Sequence, residues 1–250
     1  MSTAIEPPVG GLRPSIIIDD VRKTFTLNHA LSLKDTMVSL VRGRKTSSTF
    51  DALKGVDLVI NEGESVAILG RNGSGKSTLL KLISGVMEPD AGEVLTRGRV
   101  AGLIEVGAGF HPELSGRENV FLNAAILGMK RKEIEARYDE IVAFSEIEEF
   151  IDQEVKHYSS GMFMRLAFSV AIHVELDVML VDEILSVGDA PFREKCRLKF
   201  EELIAAKKTL LVVSHDMEMV RQLCTRGVVF DMGEVVFNGP VEGAIALVDA

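Results

Sequence analysis

The stretch Gly70-Arg71-Asn72-Gly73-Ser74-Gly75-Lys76-Ser77-Thr78 follows the pattern G-x-x-x-x-G-K-[ST]. Glycines at 70, 73 and 75 let the backbone curl so that successive N–H groups point inward at a polyphosphate. Lys76 is spaced to reach the β- and γ-phosphates, and the Ser77 hydroxyl is a hard oxygen suited to Mg²⁺. A second pair of chemical groups, Asp182-Glu183, ends the apolar run Val178-Met179-Leu180-Val181. A carboxylate at Asp182 can hold the Mg²⁺ that bridges phosphates, and Glu183 beside it can polarise an attacking water. His215 follows a further apolar run, Leu210-Leu211-Val212-Val213. A neutral imidazole there can donate one hydrogen bond to a γ-phosphate.

These groups need elements that deliver them to one place. Val66-Ala67-Ile68-Leu69 reads as a strand before the glycine-rich loop, and Leu79-Leu80-Lys81-Leu82-Ile83 as the helix after it. Residues 1–14, with Pro7, Pro8, Gly10, Gly11 and Pro14, read as a flexible leader. Strands are expected over 16–25 and 50–60, and short strands over 92–104. Between the first two lies an amphipathic insertion, residues 26–49, in which Lys34, Arg42, Arg44 and Lys45 stand against Asp35. Such a segment suits an anionic membrane surface or a partner, or is a solvated excursion. Two helices are expected over 116–145, broken near Gly128, with others over 159–175 and 190–206, and a hairpin over 228–237 around Met232-Gly233. Strands alternating with helices predict an α/β fold: a mostly parallel sheet, an antiparallel β edge and an inserted helical subdomain over 113–176.

The composition of the 250 residues, 46% hydrophobic and 26% charged, is that of a globular chain. A formal net charge of −9 argues against a nucleic-acid partner. No apolar run approaches the roughly 18 residues of a membrane span, and the N-terminus has no signal-peptide core, so the expected place is the cytoplasm. Cys196 and Cys224 lack metal-ligand spacing and read as packing residues.

The ordered set of the P-loop, Tyr158-Ser159-Ser160-Gly161-Met162, Asp182-Glu183, Ser186-Val187-Gly188-Asp189 and His215 resembles an ABC ATPase cassette, with its RecA-like core, over residues 15–245. The resemblance implies ATP and Mg²⁺ as cofactors, with Ser77, Asp182 and Glu105 on the metal; Glu105 stands where the family usually has a glutamine. It makes Ser159, Ser160, Gly161 and Met162 a signature that meets ATP held by a second copy in a head-to-tail dimer. Ser186 and Asp189 would belong to the D-loop, His215 would be the switch histidine, and either Phe25 or Phe50 would stack on adenine. The insertion, Phe150-Ile151-Asp152 ahead of Val155-Lys156, and the Tyr-Ser-Ser-Gly-Met signature are similar to the Wzt-type ATPases of polysaccharide export. That implies a peripheral protein on the cytoplasmic face of the membrane, a polytopic permease as partner and a lipid-linked glycan as cargo. Many members add a carbohydrate-binding β-sandwich after the cassette, which these residues do not contain, so recognition of the polymer's end by this chain is not expected. The rival implications are an ATPase for a lipid, drug or ion transporter, or an ABC protein acting on ribosomes or DNA.

Overall fold

The structure is a computed structural model that describes residues 13–28, 47–103, 107–182 and 189–249. Three of the expected site residues, Glu105, Glu183 and Ser186, lie outside the described residues, as do 1–12 of the leader and 29–46 of the insertion.

Two sheets share the work. Strands β1 (Pro14–Asn28), β2 (Ser47–Asn61) and β4 (Ala91–Thr96) form an antiparallel sheet in the order β2-β1-β4. The other sheet has the order β5-β6-β7-β3-β8-β9, built from β3 (Ser65–Gly70), β5 (Val100–Leu103), β6 (Val178–Asp182), β7 (Thr209–Val213), β8 (Arg226–Asp231) and β9 (Glu234–Pro240). All its pairings are parallel except β8 with β9. The expected mostly parallel sheet with an antiparallel edge is therefore present.

The central strands are apolar along their length because both faces are covered. On β3, Val66 and Ile68 enter one core and Ala67 and Leu69 the other; β6 and β7 divide in the same way. The first core is closed by α1 (Lys76–Ile83) and the antiparallel sheet. The second is closed by α2 (Gly116–Ile126), α3 (Arg131–Ser145), α4 (Ser160–Ile172) and α5 (Ala190–Ala205). Burying each large aliphatic or aromatic side chain stabilises this arrangement by ~1.5–3 kcal/mol.

Three boundaries differ from expectation. The β1–β2 ladder runs on through Thr26↔Thr49 and Leu27↔Ser48 to Asn28↔Ser47, so residues 26–28 and 47–49 belong to strands and not to the insertion. Threonine, a β-branched residue, favours that extension. The helix expected over 159–175 ends at Ile172, with Ser159 as its N-cap and His173 as its C-cap. Two short helices were not anticipated: α6 (Met217–Leu223), capped by Asp216 accepting from the Glu218 and Met219 amides, and α7 (Val241–Val248). The break near Gly128 is real: that glycine takes φ +92 between α2 and α3.

Local rules explain how the helical region is anchored. Ser115 and Glu118 form a reciprocal capping box at the start of α2. One turn later Asn119, fully buried, accepts from the His111 amide at 2.7 Å and donates to the carbonyls of His111, Leu114 and Ser115. Asn123 donates to the Ala108 carbonyl at 3.0 Å. Two amides a helical turn apart thus hold residues 108–115 against α2.

Candidate functional site

Strand order brings the chemistry together. β6, β7 and β3 are parallel neighbours, so their carboxyl ends share one edge, the edge at which α/β sheets place ligand chemistry. Val181 and Ala67 both pair with Val212, which puts Asp182 one step beyond that level and Gly70, where the loop begins, three steps beyond it. His215 lies two residues past the end of β7 on the same edge and is exposed.

The loop between β3 and α1 has the backbone that its glycines allow. Gly70, Gly73 and Gly75 take φ of +138, +79 and +110. A Cβ on Gly70 would overlap the Phe230 carbonyl, and one on Gly75 would stand 2.6 Å from the Ala52 oxygen. Gly73 has open space, so there the conformation alone asks for glycine. The N-cap of α1 is Gly75, which supplies no side-chain cap, and the first turn has no acidic residue. The positive dipole end of α1 therefore favours an anion. Lys76 is 7% exposed, and its Nζ donates to the Gly70 carbonyl at 2.7 Å and the Arg71 carbonyl at 3.0 Å, which folds the ammonium across the loop.

A cleft of about 450 Å³ opens over this loop. Asn72, Gly73, Gly75, Lys76, Ser77 and Thr78 form its floor, while Gly70, Arg71 and Ser74 do not line it. Asp182 faces the same space, as do Phe50 and Ala52 of β2. Phe25 sits opposite Phe50 in the β1–β2 ladder but does not line the cleft. Backbone amides of a glycine-rich loop, a lysine, a hydroxyl, a carboxylate and an aromatic ring with 47% exposure are thus gathered around one volume. Among the described residues, no three His, Cys, Asp or Glu side chains come together as a metal cage. Ser77 and Asp182 offer two hard oxygens, which is how Mg²⁺ is usually held when phosphates and water complete its shell.

The signature stretch is elsewhere. Ser159 caps α4, its Oγ accepting from the Met162 amide at 3.2 Å, and both Ser159 and Ser160 are exposed. A Cβ on Gly161 would meet nothing closer than Ser159 Oγ at 3.8 Å. None of Ser159, Ser160, Gly161 and Met162 lines the cleft. Tyr158 anchors the stretch by donating from Oη to the Phe150 carbonyl at 2.8 Å; burial pushes its phenol up to about 12. Further along α4, Arg165 donates to Glu146 at 2.6 Å and to Asp189 at 2.7 Å while lying 4.8 Å over the Phe192 ring. Asp189 also caps α5 through the Phe192 amide. That amide, followed by the Arg165 guanidinium, holds the Asp189 carboxyl below the usual carboxylate range. The helix that starts at Ser160 is therefore tied directly to Asp189, the N-cap of α5. Nothing in the pattern of Arg165 marks it for this contact, since its partners are 19 and 24 residues away.

Residues 53–186 match the family model described as ABC transporter. The ABC transporter protein AbcA of Aeromonas salmonicida is 44% identical over 232 residues, covering 93% of this chain and 75% of that protein. The O-antigen export system ATP-binding protein RfbB of Klebsiella pneumoniae is 42% identical over 244 residues, covering 94% of this chain and 98% of its own. Among solved structures, the dimeric post-hydrolysis state of the ATP-binding cassette MJ0796, bound to ADP and Pi, superposes with a TM-score of 0.71 at 25% identity, covering 90% of this chain and 98% of that one.

Proposed function

The chain belongs to the ABC transporter family, and from that premise we propose that it is the ATP-hydrolysing subunit of an exporter for a lipid-linked polysaccharide, seated on the cytoplasmic face of the membrane beneath a separate polytopic permease. The observation that carries the export assignment is the near end-to-end similarity to an O-antigen export ATP-binding protein. A peripheral position agrees with the described residues, in which no helix is long and apolar enough to cross a membrane.

The division of labour follows from the cleft. The amides of 70–75 and the Lys76 ammonium bind the phosphates, and Ser77 with Asp182 would hold Mg²⁺. The metal, when bound, neutralises charge on the β- and γ-phosphates. Glu183, next in sequence to Asp182, orients the attacking water, and His215 on the same sheet edge donates to the γ-phosphate. Because Ser159 and Gly161 are exposed or open and lie off their own chain's cleft, they serve the ATP of a second copy in a head-to-tail dimer. The α4 helix has no acid in its first turn, so its dipole favours that anion. Charge-assisted hydrogen bonds of ~1.5–3 kcal/mol each then form only on closure, so ATP holds the dimer shut and hydrolysis releases it.

Phe50 is the residue proposed to stack on adenine, since it lines the cleft and Phe25 does not. Base–aromatic stacking is worth ~1–3 kcal/mol, so Phe50→Ala should weaken ATP about tenfold and Phe25→Ala less than about twofold. Titration of each variant with a fluorescent ATP analogue measures this.

Depletion of the protein in its native cell tests the export assignment. The expected result is loss of surface polysaccharide with lipid-linked polymer accumulating inside, restored by the parent and not by Glu183→Gln. Normal surface polymer together with a defect in drug, lipid or ion movement would overturn it.

A further inference from the structure

We propose that the β8–β9 turn at Met232-Gly233 is a positioning element of the ATP site, one that sets the separation between the phosphate loop and the wall carrying Phe50. The inference rests on the ATP-site reading above and extends it to a turn that lines no part of the cleft.

Gly233 is bonded on both sides outside the strand ladders. Its amide donates to the Ser74 carbonyl, in the middle of the phosphate loop, at 3.0 Å. Its carbonyl accepts from the Lys54 amide of β2, also at 3.0 Å. A Cβ on Gly233 would stand 2.9 Å from the Ala52 oxygen and 3.2 Å from its carbonyl carbon, and φ is +87. The same Ala52 oxygen is the atom that excludes a side chain from Gly75. Loop, turn and β2 therefore converge on one carbonyl, and glycine is needed from two directions. Ala52, where the β1–β2 register shifts, and Phe50 are two residues apart on β2, and both line the cleft. At the same end of β8, two residues before the turn, Phe230 pairs with Gly70 and its carbonyl fills the space a Cβ on that glycine would need. The hairpin thus grips the phosphate loop at Gly70 and at Ser74 while its tip holds the wall.

The tip itself is a two-residue turn with φ +45 at Met232 and +87 at Gly233, both positive as in type I′ hairpins. Such a turn has little freedom to shift without moving both anchors. ATP spans the two, with its base on the Phe50 wall and its phosphates in the loop, whereas tripolyphosphate engages the loop alone. A displaced tip mismatches that span, so it weakens ATP while sparing the shorter ligand.

The test compares Mg²⁺-ATP and Mg²⁺-tripolyphosphate binding by calorimetry for the full chain. Gly233→Ala is expected to lose about tenfold for ATP and less than about threefold for tripolyphosphate, the size expected when one stacking contact is lost. Met232→Asn, which suits the left-handed backbone and changes a side chain 73% exposed, should keep the parental ratio. Equal weakening of both ligands, or of neither, by Gly233→Ala would overturn the turn's role. A parent that binds tripolyphosphate as tightly as ATP would instead overturn the nucleotide reading beneath it. Should Gly233→Ala not fold, amide exchange of the parent decides: slower exchange at Gly233 and Lys54 with ATP than with tripolyphosphate supports the role, and identical exchange removes it.

Discussion

Lys76→Ala is expected to abolish ATP binding and hydrolysis together. The Nζ is almost buried and already lies across the loop, bonded to the carbonyls of Gly70 and Arg71, so its charge is delivered at fixed geometry and not by a swinging surface side chain. A unit charge about 4 Å from a phosphate oxygen is worth ~4 kcal/mol at an effective dielectric of about 20. The hydrogen bond it donates to a charged oxygen adds ~1.5–3 kcal/mol. Even half of that sum lowers affinity by about a hundredfold or more. The amides of 70–75 remain, yet without the lysine no other side chain among the described residues of the cleft floor carries a positive charge to offset a triphosphate. Titration with a fluorescent ATP analogue and a phosphate-release assay report both effects. Affinity within about threefold of the parent would sink this role for Lys76.

Glu183→Gln is expected to separate the two functions: ATP binds, turnover falls by about 10²–10⁴, the usual contribution of a general base, and the ATP-bound dimer accumulates. The reason is positional. Asp182, the last residue of β6, lines the cleft, and Glu183 is its neighbour in sequence. An amide at 183 keeps the size of the carboxylate and removes both its basicity and its repulsion of the γ-phosphate. Phosphate release and size-exclusion chromatography with and without ATP measure the outcome. A variant that hydrolyses at the parental rate would refute the assignment.

The contrast between these two residues shows how much of the site was legible beforehand. Lys76, Ser77 and Asp182 could be named from local pattern because each depends on short-range geometry: glycines that permit positive φ, a helix that starts where the glycines stop, and an apolar strand that ends in an acid. The choice between Phe25 and Phe50 could not be made that way. The two are directly opposite in one ladder, and only the placement of β2 beside the phosphate loop decides which ring reaches the cleft. The full extent of the β1–β2 ladder was hidden for a related reason: β-branched Thr26 and Thr49 suit a strand, yet nothing local says that they pair with each other. Glycine at 233 was readable as a turn, whereas its bonds to Ser74 and Lys54 join residues more than 150 positions away.

By itself, then, the sequence determined the fold class, the glycine-rich loop with its lysine and hydroxyl, and the places of the acid and histidine at the ends of buried strands, because each is written in spacing over a few residues. Only the tertiary structure decided that β6, β7 and β3 lie side by side with their carboxyl ends at one edge, which is what turns those separate motifs into one cleft. It also decided that the Ser159 stretch caps a helix away from that cleft, that Arg165 ties that helix to Asp189, and that the β8–β9 turn braces the loop. Strand order and long-range hydrogen bonds are set by how two apolar faces of one sheet are covered, a property of the whole chain that no short window of residues contains.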